Sequence, residues 1–340
     1  MKHYVGLDVS MEETKLHVLD EEGCRVWRGT CRSHPDAIEA ALRQHAPHAA
    51  TIGIETGPLT TWLWTELTQR GFPMVCLDAR HAKRVLDMNV NKTDDNDAEG
   101  LAQIVRSGWY REVRVKSREA MLLKSLAGGQ LLATATRLSN QIRGILKTFG
   151  LVVPKGKGGI FERNVRHLLA GRNDVAVIVL PLLQVWRTVR EQTAALDRRL
   201  IAAARGNASC RLLMTMPGIG AITAASFVAA VERPDNFTHS RAVGAWLGLT
   251  PRRYQSGEVD YDGHISRRGD HALRGLLYEA AVSLLTRVRG ESALRCWGVS
   301  LQKRLGFKRA AVALARKMAV VLHSMWRSGT AFDPMMAAAA

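Results

Sequence analysis

The first 80 residues change from an alternating pattern of apolar and polar positions to a helical one. Alternation at 4–10, 15–19 and 24–30, with acidic or glycine-containing turns between, predicts three antiparallel strands in a meander. Apolar positions at helical spacing follow, and two further strands are predicted at 50–55 and 73–77 with a helix between them. A meander followed by alternating helices and strands predicts an α/β domain.

Helical spacing dominates the rest of the chain. Residues 118–149 read as one long helix whose apolar positions alternate in steps of four and three, the heptad seam of a coiled coil. The seam consists of Leu131, Ala135, Leu138, Ile142, Ile145 and Phe149. A Pro/Gly/Lys-rich linker at 152–160 suits a hinge or a phosphate-contacting loop, and a second long helix, which Pro181 starts or kinks, is predicted at 182–203.

The order of elements predicts an α/β fold joined to an all-α part. By analogy of element order, residues 1–116 are expected to form a ribonuclease-H-like domain. Coiled-coil helices for dimerisation are expected at 117–205, packed antiparallel within one chain or against another protomer. A mainly helical C-terminal domain is expected at 206–330, with a tail at 331–340.

Carboxylates stand where predicted strands end and a helix begins. Asp8 lies within the apolar first strand, and Glu55 ends the fourth. Asp94 and Asp97 stand three residues apart, on one face of a predicted helix. Because an acid in an apolar strand costs free energy unless it is paired or binds a cation, the four predict a two-metal site for phosphoryl transfer. The simpler interpretation of the helix pair is that Thr93 caps the helix and the acids complement its positive end.

The composition of the chain predicts a polyanionic partner. Lys and Arg number 48 against 31 Asp and Glu, a formal charge of +17, and residues 251–330 hold 15 of these cations against 6 acids. Nucleic acid is therefore the expected partner. The five cysteines are scattered without metal-type spacing, which argues against both a zinc site and a disulfide framework. No apolar run approaches the roughly 18 residues of a membrane span, and an acid stands in the place of a signal peptide's apolar segment, so a cytosolic protein is expected.

Two turns in the C-terminal part combine small residues with positive charge. Gly218 and Gly220 lie in a segment typical of a helix-hairpin-helix turn, where backbone N–H groups approach a phosphate; a plain turn between core helices is the alternative. Ser256 lies in a predicted basic turn, and a hydroxyl ringed by guanidinium groups is placed to attack a phosphodiester. The arginines near it in sequence are Arg252, Arg253, Arg267 and Arg268. Taken alone, the serine also suits an ordinary surface turn.

In their order along the chain, these motifs resemble the DEDD transposases of bridge-RNA-encoding insertion sequences, a group that includes the Piv-type DNA invertases. The similarity runs nearly end to end. Its motifs are Asp8, Glu55, Lys92-Thr93-Asp94-Asp95-Asn96-Asp97-Ala98, Pro217-Gly218-Ile219-Gly220, Gly248-Leu249-Thr250-Pro251, Ser256-Gly257 and Ile265-Ser266-Arg267-Arg268-Gly269. The resemblance implies a RuvC-like N-terminal domain, a coiled-coil insertion and a C-terminal transposase domain.

The same resemblance implies the chemistry. It assigns a metal tetrad for Mg²⁺ or Mn²⁺ to Asp8, Glu55, Asp94 and Asp97. It assigns the nucleophile to Ser256, which would form a covalent phosphoserine intermediate with DNA. Asp95 adds an acid to the motif and leaves the ligand choice open, whereas Gln255 leaves Ser256 as the only hydroxyl residue adjoining Gly257. The implied partners are double-stranded donor and target DNA, a structured noncoding guide RNA and further copies of the chain, as a dimer or tetramer.

Two other classes of enzyme remain open. A RuvC-like Holliday-junction endonuclease would use metal-activated water and form no protein–DNA adduct. An actin-like or sugar-kinase-like ATPase also runs from its first strand through Gly-Leu-Asp into a turn. The basic C-terminal half and the pair Asp94 and Asp97 argue against the ATPase.

Overall fold

The chain is divided into two units, Met1–Lys116 and Ser117–Ala340. The computed structural model describes residues 1–87, 94–126 and 130–335, and the side chains of residues 94, 95 and 130 also lie outside this description. Each unit has its own apolar packing and is described separately.

Unit 1 is built around a five-stranded sheet. Its elements are β1 (His3–Val9), β2 (Glu13–Leu19), β3 (Arg25–Arg32), α1 (Pro35–His45), β4 (Ala49–Glu55), α2 (Thr60–Gln69), β5 (Met74–Leu77), α3 (Ala79–Leu86) and α4 (Asp94–Ser107). The strand order is β3-β2-β1-β4-β5, with β1 to β3 antiparallel and β4 and β5 parallel to β1. This mixed sheet is consistent with the ribonuclease-H-like prediction, and the five strands lie within two residues of their predicted bounds.

Helices cover both faces of the sheet. Successive side chains on a strand point to opposite faces, and apolar residues lie on each of them. One face packs on α1 and α2. The core on that face includes Val5, Leu7, Ile52, Ile54, Ile38, Leu42, Leu63 and Leu67. The other face packs on α3 and α4. Its core includes Leu77, Ala82, Leu101, Ile104 and Val105.

Unit 2 is mainly helical and contains one hairpin. Its elements are α5 (Arg118–Leu126), α6 (Gln130–Thr148), α7 (Gly159–Leu168), α8 (Asn173–Gly206), α9 (Ala208–Leu213), α10 (Ala221–Val231), α11 (Arg241–Trp246), β6 (Pro251–Ser256), β7 (Val259–Ile265), α12 (His271–Thr286), α13 (Ala293–Leu305) and α14 (Phe307–Ser328). The start of α8 packs with α6 and α7, and its end joins a second core with α9 to α14. Across the described ranges, no helix is long and apolar enough to cross a membrane.

The two long helices differ in part from their prediction. Residues 118–149 contribute α5 and α6, and the residues between these helices, 127–129, lie outside the described part. Pro181 does not start the second helix, since α8 begins at Asn173 and continues through the proline. Val185, one of the apolar positions that predicted this helix, is 51% exposed, whereas the neighbouring Leu183 and Trp186 are buried. Nearly every residue of this helix from 175 to 183 is apolar, so the sequence did not distinguish the buried face.

Candidate active site

Two carboxylates stand beside each other at the edge where β1 and β4 end. These strands run parallel, and their last paired residues are Leu7 and Ile54. The next residue along each strand is Asp8 on β1 and Glu55 on β4, so the two occupy neighbouring positions about 4.8 Å apart across the ladder. Both side chains are half-buried. The carboxyl ends of parallel strands therefore bring together two acids that are 47 residues apart in sequence, as the sequence predicted.

Two glycines let α4 approach this edge. A β-carbon on Gly6 would stand 2.1 Å from the carbonyl oxygen of Ala98, and one on Gly53 would stand 2.6 Å from a side-chain methyl of the same helix. Asp97 thus lies one residue from the closest contact between helix and strand, and it is half-buried. Asp8, two residues from Gly6, lies on the face of the sheet that α4 covers.

Asp94 and Asp95, the other acids of this run, are described by their backbone alone. Asp94 begins α4, but its side chain and that of Asp95 lie outside the described part, as do residues 91–93 with the predicted cap Thr93. Among the described side chains, no group of three or more potential ligands is close enough to hold a metal ion. The donor set still fits a hard cation, because it offers only carboxylate oxygens and Mg²⁺ completes its shell with waters and substrate phosphate.

The loop after Glu55 is held by hydrogen bonds. Thr60 Oγ1 donates to the carbonyl oxygen of Glu55 at 2.6 Å and accepts from the backbone N–H of Gly57 at 2.8 Å. Thr56 Oγ1 accepts from the backbone N–H of Ala79 at 3.2 Å, which ties the loop to the start of α3. These bonds fix the backbone that carries Glu55.

The pKa of a buried thiol reports the negative charge at this edge. Cys76, on β5, has its pKa raised to about 11, first by burial and then by the carboxylates of Glu112, Asp78 and Glu55. Burial disfavours any charged group at this position, and the three carboxylates further disfavour an anionic thiol while they favour a cation.

Lys15 is a candidate site residue that the sequence did not reveal. It lies directly across the ladder from Asp8, on β2. Residues paired across an antiparallel ladder share a face, so a cation stands beside the carboxylates, where opposite charges stabilise the pair. The signal in the sequence was the register of the first hairpin, which places Asp8 and Lys15 at equal distance from its turn.

Ser256 lies at the tip of a β-hairpin, in place of the predicted turn that follows a helix. It ends β6, and Gly257, with φ of +56°, is the first residue of a two-residue turn, where glycine is preferred. All residues of β6 are exposed, as are most of β7. The Ser256 hydroxyl is therefore accessible to a large substrate, as a nucleophile that attacks DNA must be.

The base of this hairpin is locked by backbone contacts. A β-carbon on Gly248 would stand 2.2 Å from the carbonyl oxygen of Arg268, and one on Gly269 would stand 2.2 Å from that of Trp246. The backbone N–H of Arg267 donates to the carbonyl oxygen of Gly248 at 3.1 Å. The segments 248–251 and 265–269, both among the sequence motifs, thus contact each other and fix the base of the exposed hairpin.

The expected ring of guanidinium groups around Ser256 is absent from the hairpin as described. Arg253 forms an ion pair with Asp260 at 2.5 Å, which raises the pKa of Arg253 and lowers that of Asp260. Because strand residues alternate, Arg253 and Ser256 point to opposite faces. Arg252 shares the face of Ser256, but it is four residues away, roughly 13 Å along an extended strand, and donates to the carbonyl oxygen of Ser266.

Arg267 and Arg268 follow β7 at the base of the hairpin, the end remote from Ser256. The sequence placed these cations near the serine because it did not reveal β7, the strand that lies between them. Beside Ser256 the hairpin instead presents two stacked tyrosines, Tyr254 and Tyr261, whose ring centroids are 5.1 Å apart. Both rings are about half exposed, and residue alternation puts them on the serine's face.

The glycine turn between α9 and α10 has a structural explanation at one position. Gly218 has φ of +89°, and a β-carbon there would stand 2.9 Å from the carbonyl oxygen of Ala280 on α12. Packing alone therefore requires glycine at this position. Gly220 precedes α10, is exposed, and has no atom within 4 Å of an added β-carbon. Of the two, Gly220 is the one left open to a ligand.

Positive charge in unit 2 is concentrated at the corner between α13 and α14. Every residue from 302 to 309 is exposed. Its four cations are Lys303, Arg304, Lys308 and Arg309. This corner is the part of unit 2 with the highest local density of positive charge, and the sequence showed only that an excess lay somewhere in 251–330.

Two family models match parts of the chain. Residues 5–150 match the DEDD transposase family of IS110 type, described as "Transposase", and include Asp8, Glu55, Asp94 and Asp97. Residues 210–295 match the family described as "Transposase IS116/IS110/IS902 family" and include Ser256.

Individual proteins show similarity along most of the chain. The chain is 29% identical to "Transposase for insertion sequence element IS1111A" of Coxiella burnetii, over 94% of this chain and 88% of that protein. It is 26% identical to "Probable family 20 transposase" of Pseudomonas aeruginosa, over 97% and 98% of the two lengths. It is 28% identical to "Transposase for insertion sequence element IS1328" of Yersinia enterocolitica, over 72% and 74%.

Proposed function

We propose that this chain, a DEDD transposase of the IS110/IS116/IS902 family, cuts and rejoins donor and target DNA through a covalent phosphoserine intermediate. Two observations support this proposal, one in each unit. Asp8 and Glu55 occupy neighbouring positions at one sheet edge beneath Asp97, and Ser256 stands exposed at the tip of a braced hairpin. Carboxylates suit a cation that binds phosphate, and an accessible hydroxyl suits attack on phosphorus.

The carboxylates are the part of the proposed site that acts on the reacting phosphate, through a bound cation. Asp8, Glu55, Asp94 and Asp97 would bind Mg²⁺ or Mn²⁺, which when present stabilises negative charge on the reacting phosphate. Lys15 lies on the same face and would offset the mutual repulsion of the acids before an ion and DNA arrive. Strand register and the contact between Gly6 and α4 hold the acids in place, so the site needs little reorganisation.

Ser256 exchanges one ester bond for another. Its hydroxyl loses a proton to water as Oγ bonds to phosphorus, and the bond from phosphorus to the 3′ oxygen breaks. The departing oxygen takes up a proton, which leaves a free 3′ hydroxyl and a serine joined to the 5′ phosphate. The ester keeps the energy of the broken bond, so a 3′ hydroxyl from a second DNA reverses the reaction without ATP.

The guide RNA and the assembly of several copies belong to the same proposal. A formal charge of +17 supports binding of both nucleic acids, and the exposed basic corner between α13 and α14 offers one contact surface. Exposed apolar side chains on α8, among them Val177 and Val185, support self-association. Assembly would allow the serine of one protomer to serve the carboxylates of another.

A nuclease that uses activated water is the second candidate. It is favoured by one observation, that the described guanidinium groups of the hairpin do not surround Ser256. It shares the carboxylate site with the first candidate and differs only in the attacking group. Covalent attachment of DNA to the protein therefore separates the two.

The carboxylate part is tested by strand cleavage with purified protein, guide RNA and a labelled DNA substrate in Mg²⁺. We expect Asp8→Asn, Glu55→Gln and Asp97→Asn each to lower the cleavage rate at least a hundredfold, because an amide oxygen replaces an anionic ligand. Glu22→Gln, an exposed acid in the turn between β2 and β3, is the matched control and should cleave normally. Near-normal cleavage by Asp97→Asn would remove that residue from the site.

A further inference from the structure

Helix α3 presents three cations on one exposed stripe. Arg80, Lys83 and Arg84 are spaced at i, i+3 and i+4, which places them on one side of a helix, and all three are exposed. The opposite side packs against the sheet and α4 through the buried Ala82 and through Leu86, whose side chain lies against Gly100. The helix is thus fixed by its apolar side and shows its charge to solvent.

The described parts of unit 1 supply no carboxylate within ion-pair distance of these three side chains. By contrast, Arg70 on α2 is held by Asp36 at 2.7 Å and by Glu39 at 2.7 Å. Side chains that neutralise each other within the protein contribute little to binding of an anion. Three cations on one stripe without such partners form a surface that attracts a polyanion.

The stripe begins at the carboxylate site. Leu77, the last residue of β5, pairs with Glu55 in the sheet. Asp78 follows and caps α3, accepting a hydrogen bond from the backbone N–H of Arg80 at 2.9 Å. The first helical residue, Ala79, is hydrogen-bonded to Thr56, the residue after Glu55. A strand of nucleic acid lying along α3 therefore has one end at the edge that holds Asp8 and Glu55.

An exposed tryptophan lies beside the first turn of this helix. Trp109 is 69% exposed. Its ring and that of His81 lie edge to face, with their centroids 5.5 Å apart. The backbone N–H of Asp78 donates to the carbonyl oxygen of Arg111 at 3.1 Å, which holds the segment that carries Trp109 next to α3. A large exposed indole beside a row of cations has the chemistry of single-strand binding, in which bases stack on aromatic rings while cations follow the phosphates.

We infer that this surface, the stripe of Arg80, Lys83 and Arg84 together with Trp109, guides a single DNA strand into the carboxylate site. The inference rests on the proposed function, since it takes the cut strand to be DNA. The phosphate that reacts must lie at the edge of Asp8 and Glu55, and the strand that carries it continues along α3. The cations contact phosphates on one side of the scissile bond, and Trp109 stacks an unpaired base.

Binding is measured with full-length Ser256→Ala protein, in which the strand is not consumed. The probes are a fluorescein-labelled single-stranded DNA of the element end, the same sequence as RNA, and the DNA duplex, followed by fluorescence anisotropy at several salt concentrations. The variant changes all three cations of the stripe to Gln. Its matched control changes Arg25, Arg28 and Arg32 to Gln, which removes the same exposed charge from the opposite edge of the sheet.

We expect the stripe variant to bind the single-stranded DNA on the order of tenfold more weakly than the control variant. A plot of log K against log salt concentration should also become less steep by about 2, because each of the three lost phosphate contacts contributes about 0.7 to the slope on a single strand. Equal weakening by both variants, or by neither, would overturn the inference. Weakening that is confined to the RNA probe would also overturn it and assign the surface to RNA.

Stacking is tested with 2-aminopurine at successive positions beside the cleavage site. At one position of the DNA, stacking on the ring of residue 109 should quench the fluorescence of the base analogue. Protein with Trp109 and the Trp109→Phe variant should both show this quenching. Trp109→Leu, which keeps apolar bulk without a ring, should show much less. Quenching that is unchanged in Trp109→Leu contradicts the role of the indole. Since neither assay involves cleavage, failure to find a serine adduct would refute the proposed function and leave these results standing.

Discussion

Gly6 on β1 and Ala98 on α4 are in direct backbone contact, and a β-carbon on residue 6 would stand 2.1 Å from the Ala98 carbonyl oxygen. This contact sets the distance between the strand that carries Asp8 and the helix that carries Asp97. Gly6→Ala should therefore push α4 away from the sheet, cost about 1–3 kcal/mol of stability, and reduce strand cleavage. Gly144→Ala, in an open position of α6, is the control and should retain both. Thermal unfolding and cleavage rates would decide, and full activity in Gly6→Ala would separate the helix contact from the site.

The brace at the base of the hairpin leads to a similar prediction. In Gly248→Ala, the new β-carbon would meet the backbone of Arg268, so the hairpin should lose its fixed orientation. Covalent attachment to DNA should then fall tenfold or more, while DNA binding, which draws on cations elsewhere, changes little. Gly275→Ala, a helical position with no atom within 4 Å, is the control. Equal loss of binding and attachment would show a general folding defect instead.

Four positions of the heptad seam, Ala135, Leu138, Ile142 and Ile145, pack within the chain, which changes how assembly is tested. Ile142 is fully buried against α7 and α8, so Ile142→Asp should destabilise unit 2 by about 3 kcal/mol or more. Val177 on α8 is 72% exposed, and Val177→Asp should leave the fold intact but weaken self-association. Light scattering reports the mass and thermal unfolding reports the stability. An unchanged mass in Val177→Asp would place the contact between copies elsewhere.

A buried histidine makes unit 2 sensitive to acid. His323 Nε2 donates to the carbonyl oxygen of Pro234 at 2.8 Å, and Nδ1 lies 2.9 Å from the Ser240 hydroxyl, which donates to Nδ1 when the ring is neutral. Burial lowers the pKa of His323, and the Arg327 charge lowers it further against the opposing effect of the Pro234 hydrogen bond. The unfolded chain therefore binds a proton that the folded chain resists.

Stability contributed by the neutral ring is present above the ordinary histidine pKa of about 6.5 and is lost as the pH falls below it. We expect the melting temperature of unit 2 to drop between pH 7.5 and 5.5, and the drop to shrink in His323→Gln, which is less stable at both values. Scanning calorimetry at several pH values measures this. An identical pH dependence in the variant would assign the effect to another group.

The sequence was sufficient for unit 1 where a single pattern carried the information. Alternation predicted the first three strands, short apolar runs predicted the other two, and parallel pairing of β1 with β4 was enough to bring Asp8 and Glu55 to one edge. It was insufficient where the decisive feature was a relation between distant residues. The opposition of Lys15 and Asp8 depends on register, and the charged stripe of α3 depends on which side of that helix is buried.

Unit 2 was less predictable for physical reasons. The hairpin of β6 and β7 is exposed throughout, so it lacks the alternation of apolar and polar residues that marks a half-buried strand. The apolar run at the start of α8 fits more than one helical face, and only packing against α6 and α7 selects Leu183 and Trp186. Cations counted along the chain also gave no position in space, which is why Arg253 was placed beside Ser256 rather than with Asp260.

In the proposed reaction, the Ser256 oxygen becomes bonded to DNA. Wild-type protein is mixed with guide RNA and with DNA labelled on the fragment that carries the 5′ phosphate after the cut, and the products are separated on a denaturing gel. The peptide attached to the labelled DNA is identified by mass spectrometry. We expect an adduct on Ser256 that is absent in Ser256→Ala and present in Ser266→Ala and Tyr254→Phe. An adduct that survives Ser256→Ala, or efficient cleavage by wild-type protein without any adduct, would contradict it.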